Sequence, residues 1–168
     1  MILYPEWYDP YRDRLCELED AIAALHAQAR SWREDHRGYV ATGMRAWKRK
    51  PLQQIFGATK PILFAKTLSA ARSAAQSNDR LVMAWSSAST SGENDVAASP
   101  LPEINFLRIE DGFIRSTGLG ADLVAPLSLV RDDIGIYYDP TRESRLERLI
   151  TASIDLPQAA HWRAERLI

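Results

Sequence analysis

Residues 104–122 read INFLRIEDGFIRSTGLGAD, and this stretch decides the fold that the sequence predicts. Its apolar beginning, INFLRI, is typical of a buried strand, which we place at residues 104–109. Glu110 and Asp111 follow directly, and Gly112 then permits a tight turn. We therefore expect two adjacent carboxylates at the carboxyl end of a strand, where open α/β sheets bind their ligands.

Upstream of this stretch, short apolar segments alternate with helical patterns. We predict strands at residues 39–41, 61–65 and 81–85, with helices at 45–56 and 67–76 between them. Such alternation favours a mostly parallel sheet with flanking helices, that is, a Rossmann-like α/β fold. The Ser-rich segment that follows the third strand is predicted to be a flexible loop.

Downstream, the pattern predicts a hairpin and two helices. The segments 127–130 and 134–138 flank Arg131, Asp132 and Asp133, as in a short hairpin. Beyond them, Leu146, Leu149 and Ile150 define one helix face, and a last helix begins at Gln158.

The amino-terminal region divides into an arm and a helix. Residues 1–14 are rich in proline and aromatic side chains, which favours an extended arm or linker, and residues 15–168 then form a single Rossmann-like domain. We expect an amphipathic helix at residues 15–36, because apolar residues recur there at steps of three and four. These residues are Leu15, Leu18, Ile22, Leu25, Ala29 and Trp32.

Composition excludes several classes of protein. The 21 basic and 22 acidic residues give a formal net charge of −1, so no global field attracts nucleic acid. Cys16 is the only cysteine, which excludes an intramolecular disulfide and favours a reducing compartment, the cytoplasm. Neither a secretory signal nor an apolar run long enough to span a membrane is present, so membrane contact would be peripheral.

Two polar segments are candidates for chemistry, and each has a structural alternative. Adjacent carboxylates can supply a nucleophile, a general base or metal ligands, but an acidic turn on a solvated loop is also ordinary. Arg115 could pair with Asp111 or contact an anionic ligand. The basic run at residues 45–50 could bind an anion at a helix amino terminus, or be a solvated face with Trp47 in the core.

Other motifs do not support a site. Gly118 and Gly120 lack the third glycine of a dinucleotide loop, because Leu123 occupies that place. The three histidines, His26, His36 and His161, are too far apart to predict a metal site.

Residues 110–148, EDGFIRSTGLGADLVAPLSLVRDDIGIYYDPTRESRLER, closely resemble the signature region of the capsular polysaccharide biosynthesis and export family of the KpsC/LipA type. Members of this family are bacterial β-Kdo glycosyltransferases. A weaker resemblance upstream covers the Trp-Tyr-Asp-Pro segment at residues 7–10, the helix at 15–36 and the Trp-Lys-Arg segment at 47–49.

The resemblance implies a retaining transferase that moves Kdo from CMP-Kdo to a Kdo oligosaccharide on a lipid acceptor. It implies a GT-B-type arrangement of two Rossmann-like halves, with the Glu110-Asp111-Gly112 motif in the half that precedes the nucleotide-binding half. Retention by double displacement needs a carboxylate nucleophile, which we assign to Asp111, with Glu110 as supporting acid or base.

Charge adds further candidates for substrate binding. We expect Arg115 and Ser116 to position the sugar carboxylate, and Lys48 or Arg49 to receive an anionic acceptor. No cofactor beyond the donor CMP-Kdo is implied.

One departure from the family shapes the functional prediction. The family's His-Pro motif, which contacts the CMP phosphate, is absent, because no histidine precedes a proline here. We therefore expect the acceptor-side half of a transferase, inactive without its donor-binding half, in the cytoplasm or peripherally at the inner membrane. The exposed half-cleft would favour homo-oligomers.

Two rival hypotheses stay open. The first is a non-catalytic assembly or binding module of the capsule export machinery, which would dock through Tyr4, Trp7, Tyr8 and Tyr11. The second is a generic nucleotide-binding α/β domain.

Overall fold

A computed structural model describes residues 6–85, 106–114 and 124–165 of the chain, and a five-stranded sheet with flanking helices organises them. The elements in chain order are β1 (Trp7–Asp9), β2 (Arg14–Cys16), α1 (Leu18–Asp35), β3 (Tyr39–Thr42), a 3-10 turn (Ala46–Lys48), α2 (Arg49–Phe56), β4 (Leu63–Phe64), α3 (Leu68–Asn78), β5 (Leu81–Trp85), β6 (Phe106–Asp111), β7 (Leu129–Asp132), α4 (Arg145–Ser153) and α5 (Gln158–Glu165).

The main sheet has the strand order β4-β3-β5-β6-β7. The first four strands are parallel, and β7 is antiparallel to β6 at the edge. The predicted α/β fold with a mostly parallel sheet is therefore confirmed. In this arrangement the carboxyl ends of β3, β5 and β6 meet at one edge of the sheet.

Two apolar layers hold the helices against the sheet. On one face, Val40, Val82 and Phe106 pack with Leu68 and Ala71 of α3. On the other face, Leu52 and Phe56 of α2 pack against residues of β3, β5 and β6. These residues are Tyr39, Met83 and Ile109. Helix α2 tolerates Pro51 because this residue lies in the first turn, where backbone N–H groups have no intrahelical acceptor.

The amino-terminal region differs from the prediction in its secondary structure. The arm forms an antiparallel hairpin of β1 and β2, in which Trp7 pairs with Cys16 and Asp9 with Arg14. Because Leu15 belongs to β2, α1 begins at Leu18, later than expected. The division of the chain at residue 14 stays a prediction.

The hairpin predicted at residues 127–138 is wrong. Strand β7 pairs with β6, and residues 134–138 form turns rather than a strand. The cause is Asp132, a fully buried side chain whose Oδ1 accepts the backbone N–H groups of Ile134 and Gly135 at 2.8 Å. This local acceptor competes with strand pairing and turns the chain away from the sheet.

Some expectations concern other parts of the chain. The predicted Ser-rich loop, and Gly118 and Gly120, lie outside the described residues. Among the helices that the structure describes, none has the length and apolarity needed to cross a membrane.

Candidate active site at the carboxyl edge of the sheet

Strand β6 continues through both carboxylates, contrary to the expectation that it ends at residue 109. Glu110 pairs with Val130 of β7, and Asp111 pairs with Leu129. The antiparallel partner extends the strand by two residues, so the acidic pair belongs to the sheet edge and not to the turn after it.

Because alternate residues of a strand point to opposite faces, the two carboxylates do not share one site. Asp111 lies on the face of Leu107 and Ile109, which pack in the layer beneath α2. Glu110 lies on the face of Phe106, is 9% exposed, and accepts the backbone N–H of Asp111 through Oε1 at 3.1 Å. The two adjacent carboxylates that the sequence predicted at the end of one strand therefore face opposite sides of the sheet.

Asp111 forms an ion pair with Lys48. The Lys48 Nζ atom lies 3.5 Å from both carboxylate oxygens of Asp111, and 3.5 Å from the centroid of the Trp85 ring. The two charged side chains are 13% and 18% exposed, so the pair is largely shielded from water while the carboxylate keeps contact with solvent. Trp85 ends β5, and the turn carrying Lys48 follows β3, so three chain segments converge here.

Among the residues that the structure describes, three buried side-chain polar atoms lack a hydrogen-bond partner. They are Nε1 of Trp47, Nε1 of Trp85 and Oε2 of Glu110. Buried polar groups are nearly always paired in folded proteins, and leaving one unsatisfied costs about 1–3 kcal/mol. The rings of Trp47 and Trp85 both contact Lys48, the partner of Asp111, whereas Glu110 lies on the other face. Two unsatisfied donors beside a partly exposed carboxylate are features of a site that binds a polar molecule.

Gly112 is required for a close backbone approach and not for a special turn. Its φ is not positive, whereas Gly38 and Gly43 do adopt positive φ. Its N–H donates to the carbonyl oxygen of Ser128 at 2.9 Å, and a Cβ added here would lie 2.8 Å from the Ser128 carbonyl carbon. A side chain at this position would push β6 and the residue before β7 apart.

The other candidates are placed as follows. The guanidinium of Arg49 lies 5.1 Å from the centroid of the Phe64 ring, and so contacts a neighbouring aromatic side chain. Arg115 and Ser116 lie outside the described residues. In the ranges that the structure covers, no group of three His, Cys, Asp or Glu side chains is placed to hold a metal ion.

Sequence reasoning missed two aromatic residues of this edge. Trp85 contacts Lys48, and the hydroxyl of Tyr137 donates to the backbone carbonyl of Asp111 at 3.3 Å. Trp85 was open to prediction, because it is the last residue of a strand whose carboxyl end had to lie beside that of β6. Tyr137 gave no such signal, since it lies in a turn.

A cavity of about 500 Å³ lies elsewhere, between α1, β7 and α4. The three arginines that line it are engaged in ion pairs: Arg30 and Arg131 with Glu34, and Arg145 with Asp133. Its charges are thus already balanced, and it is a weaker candidate than the edge at Asp111.

Comparison with known proteins assigns this chain to a family. A family model described as capsule polysaccharide biosynthesis protein matches residues 80–166. The chain belongs to this family. The matched range includes β5, β6, β7 and α4, and therefore contains Trp85, Glu110 and Asp111. The resemblance noted from residues 110–148 is confirmed.

Individual relatives agree with the family assignment. The chain is 35% identical over 151 residues to the capsule polysaccharide modification protein LipA of Neisseria meningitidis, which covers 88% of this chain and 21% of LipA. Over 48 residues it is 60% identical to the lipopolysaccharide-processing protein LpsZ of Rhizobium meliloti, covering 29% of this chain and 11% of LpsZ. The chain thus spans about a fifth of the length of LipA.

A solved structure also matches. Thermosulfurimonas dismutans KpsC, described as a beta Kdo 2,7 transferase, superposes with a TM-score of 0.53 at 27% identity. The match covers 77% of this chain and 40% of that chain. This capsule polysaccharide biosynthesis protein is therefore similar to a Kdo transferase in both sequence and fold.

Proposed function

We propose that this chain is the acceptor-side half of a retaining β-Kdo transferase, with Asp111 as the nucleophile. The observation that carries the proposal is the position of Asp111. It is the last residue of β6, at the carboxyl edge of the sheet, with a carboxylate that is held by Lys48 and still touches solvent. The similarity to a structure described as a Kdo transferase supplies the substrate class.

The reaction would proceed by two displacements. In the first, a carboxylate oxygen of Asp111 bonds to the anomeric carbon of Kdo while the bond to the phosphate oxygen of CMP breaks, and CMP leaves with the electron pair. In the second, a hydroxyl oxygen of the acceptor attacks the same carbon, its proton passes to a base, and the Asp111 ester bond breaks. Two inversions at one carbon give net retention.

The neighbours of Asp111 suggest distinct roles. Lys48 balances the charge of the carboxylate and fixes its position, so its expected part in the reaction is to hold the nucleophile and meet an anionic substrate group. Glu110 points to the opposite face of the sheet, but its Oε1 accepts the N–H of Asp111, which orients the backbone at the nucleophile. We therefore favour a positioning role for Glu110 over direct proton transfer. Arg115, Ser116, Gly112 and Arg49 stay predicted substrate-binding residues.

The proposal includes a second lobe. The absence of a His-Pro motif in this sequence supports a chain that supplies one wall of the cleft, with CMP-Kdo held by a donor-binding half. Its place would be the cytoplasmic side of the inner membrane, where a lipid-linked acceptor can be reached. This chain alone is expected to show no transfer.

The test combines the chain with the donor-binding half, CMP-Kdo and a Kdo-lipid acceptor. Asp111→Asn keeps the shape of the side chain and removes the nucleophile, so transfer should fall by about 1,000-fold or more. Asp155→Asn is a matched control, because Asp155 is an exposed carboxylate far along the chain, and its activity should be unchanged. Activity of Asp111→Asn within about twofold of wild type would reject the assignment.

A second readout detects the covalent intermediate itself. With CMP-Kdo and no acceptor, the wild-type mixture should contain this chain with one Kdo residue attached to the peptide that includes Asp111. The Asp111→Asn chain should carry no such adduct. An adduct on another residue of the wild-type chain would place the nucleophile elsewhere.

The alternative function is a non-catalytic assembly module of the capsule export machinery. The observation in its favour is the exposure of Tyr8 and Tyr11, at 53% and 69%, on the amino-terminal hairpin. In that case a capsule-deficient strain complemented with the Asp111→Asn gene would make normal capsule. Loss of capsule in that strain would argue for catalysis.

A further inference from the structure

Helix α1 exposes an unbroken apolar stripe. Of its 18 residues, only Ala21 and Asp35 are buried. The stripe is spaced four, three, four and three residues apart, and its large members are 40–61% exposed. Its residues are Leu18, Ile22, Leu25, Ala29 and Trp32. We call this surface the α1 seam.

The spacing of the α1 seam is that of a two-stranded coiled coil. An apolar repeat of 3.5 residues places all these side chains on one narrow stripe. A helix that packs only on its own domain typically has a wider apolar face. The body of the domain holds α1 at its other end, through ion pairs of Arg131 with Glu34 and Asp35 in the last turn. The seam itself is left uncovered by the described residues.

The seam is complementary to itself when two copies run antiparallel. With Leu25 facing Leu25 of a second copy, Leu18 faces Trp32, and Ile22 lies between Gln28 and Ala29. Ile22 then packs beside the small side chain of Ala29, and the five residues of the stripe itself are all apolar. The two helices then overlap from Leu18 to Trp32, which gives a contact about 22 Å long.

The charged residues beside the seam favour the same antiparallel alignment. Glu19 and Arg33 flank its two ends on the same edge, and in the antiparallel pairing each faces the other residue in the second copy. Neither forms an ion pair within the ranges that the structure describes. A parallel pairing would instead place Glu19 near Glu19 and would not bring the opposite charges together.

The hairpin of β1 and β2 widens the apolar surface. The Tyr11 hydroxyl accepts a hydrogen bond from Nε2 of Gln28 at 2.7 Å, which holds the exposed Tyr11 ring beside α1. Leu15 of β2 is also 65% exposed. We propose that two copies of this chain associate through antiparallel packing of their α1 seams.

Sedimentation velocity of the intact chain tests the proposal over a range of concentrations up to about 1 mM, which detects even weak dimers. The wild type should shift from monomer to dimer as the concentration rises. Ile22→Glu places a charge in the seam and should raise the dissociation constant at least tenfold. Ala27→Glu adds the same charge to an exposed position on another side of the helix and should leave the dissociation constant within about twofold.

A charge swap tests the direction of the helices. Glu19→Arg and Arg33→Glu each turn two attractive contacts into repulsive ones, so each should raise the dissociation constant by about tenfold, and the double variant should restore it. A wild type that stays monomeric throughout overturns the proposal, as does a dimer that Ile22→Glu does not weaken. Weakening in both single variants without rescue in the double variant excludes the antiparallel alignment. Since Ile22, Glu19 and Arg33 are exposed, circular dichroism should show all variants folded.

Discussion

The ion pair between Lys48 and Asp111 predicts a measurable coupling free energy. At the observed 3.5 Å, two unit charges attract by about 5 kcal/mol for an effective dielectric constant near 20, and by about 1 kcal/mol in bulk water. The side chains are only 13% and 18% exposed, so the attraction lies towards the larger value, but desolvation of both charges offsets most of it. We expect a net coupling of about 1–2 kcal/mol.

A double-mutant cycle measures this coupling. The variants are Lys48→Met, Asp111→Asn and the double variant, and urea unfolding gives the free energy of each. Methionine keeps most of the length of the side chain and removes the charge. The loss in the double variant should therefore be about 1–2 kcal/mol smaller than the sum of the single losses.

An exposed pair provides the comparison that separates burial from distance. Arg148 and Glu143 are closer, at 2.6 Å, but their side chains are 56% and 53% exposed. The same cycle there should give about 0–0.5 kcal/mol, because water screens the pair. If the Lys48 and Asp111 coupling is no larger than that of the exposed pair, the two side chains are not held together in solution and our account of the site is wrong.

Three further predictions concern stability. Gly112→Ala should lower the free energy of unfolding by about 2 kcal/mol in urea titrations, because the new Cβ meets the backbone of Ser128; an unchanged value would show that this contact relaxes freely. Ser144→Ala should cost about 1 kcal/mol and lower the melting temperature by about 3 °C, since it removes the amino-terminal cap of α4. Burial alone would raise the pKa of Asp133, but hydrogen bonds from Arg145 outweigh it and hold the pKa below its usual value. The stabilisation from Asp133 is therefore present above about pH 4 and lost as the pH falls through the lowered pKa, and Asp133→Asn should flatten the acid limb of the stability curve.

The fold was largely predictable because its parallel strands are visible in the sequence as short apolar segments between helical patterns. The strand at residues 81–85 matches β5, and the helices after residues 45 and 67 appear where their patterns begin. Strand β6 was misplaced at its carboxyl end, since charged residues normally end a buried strand. Its extension depends on β7, a partner about twenty residues away that no local pattern identifies.

The site was predictable in its location but not in its contacts. Topology places the ends of β3, β5 and β6 at one edge, so Lys48 and Asp111 could be expected near one another despite lying 63 residues apart. The separation of Glu110 from Asp111 required knowing that both belong to the strand. In α1, periodicity identified the apolar stripe but could not tell whether the domain or another chain covers it.

The α1 seam and the site have no residue in common, which leads to a last prediction. Helix α1 ends at Asp35, just before the amino end of β3, whereas Asp111 and Trp85 lie at the carboxyl ends of their strands. None of the seam residues belongs to the site, so association through the seam should leave the cleft open to a donor-binding half. Ile22→Glu should therefore weaken the dimer at least tenfold while transfer in the combined assay stays within about twofold of wild type. A loss of transfer that follows the loss of dimer, in a variant that remains folded, would mean that a second copy completes the site.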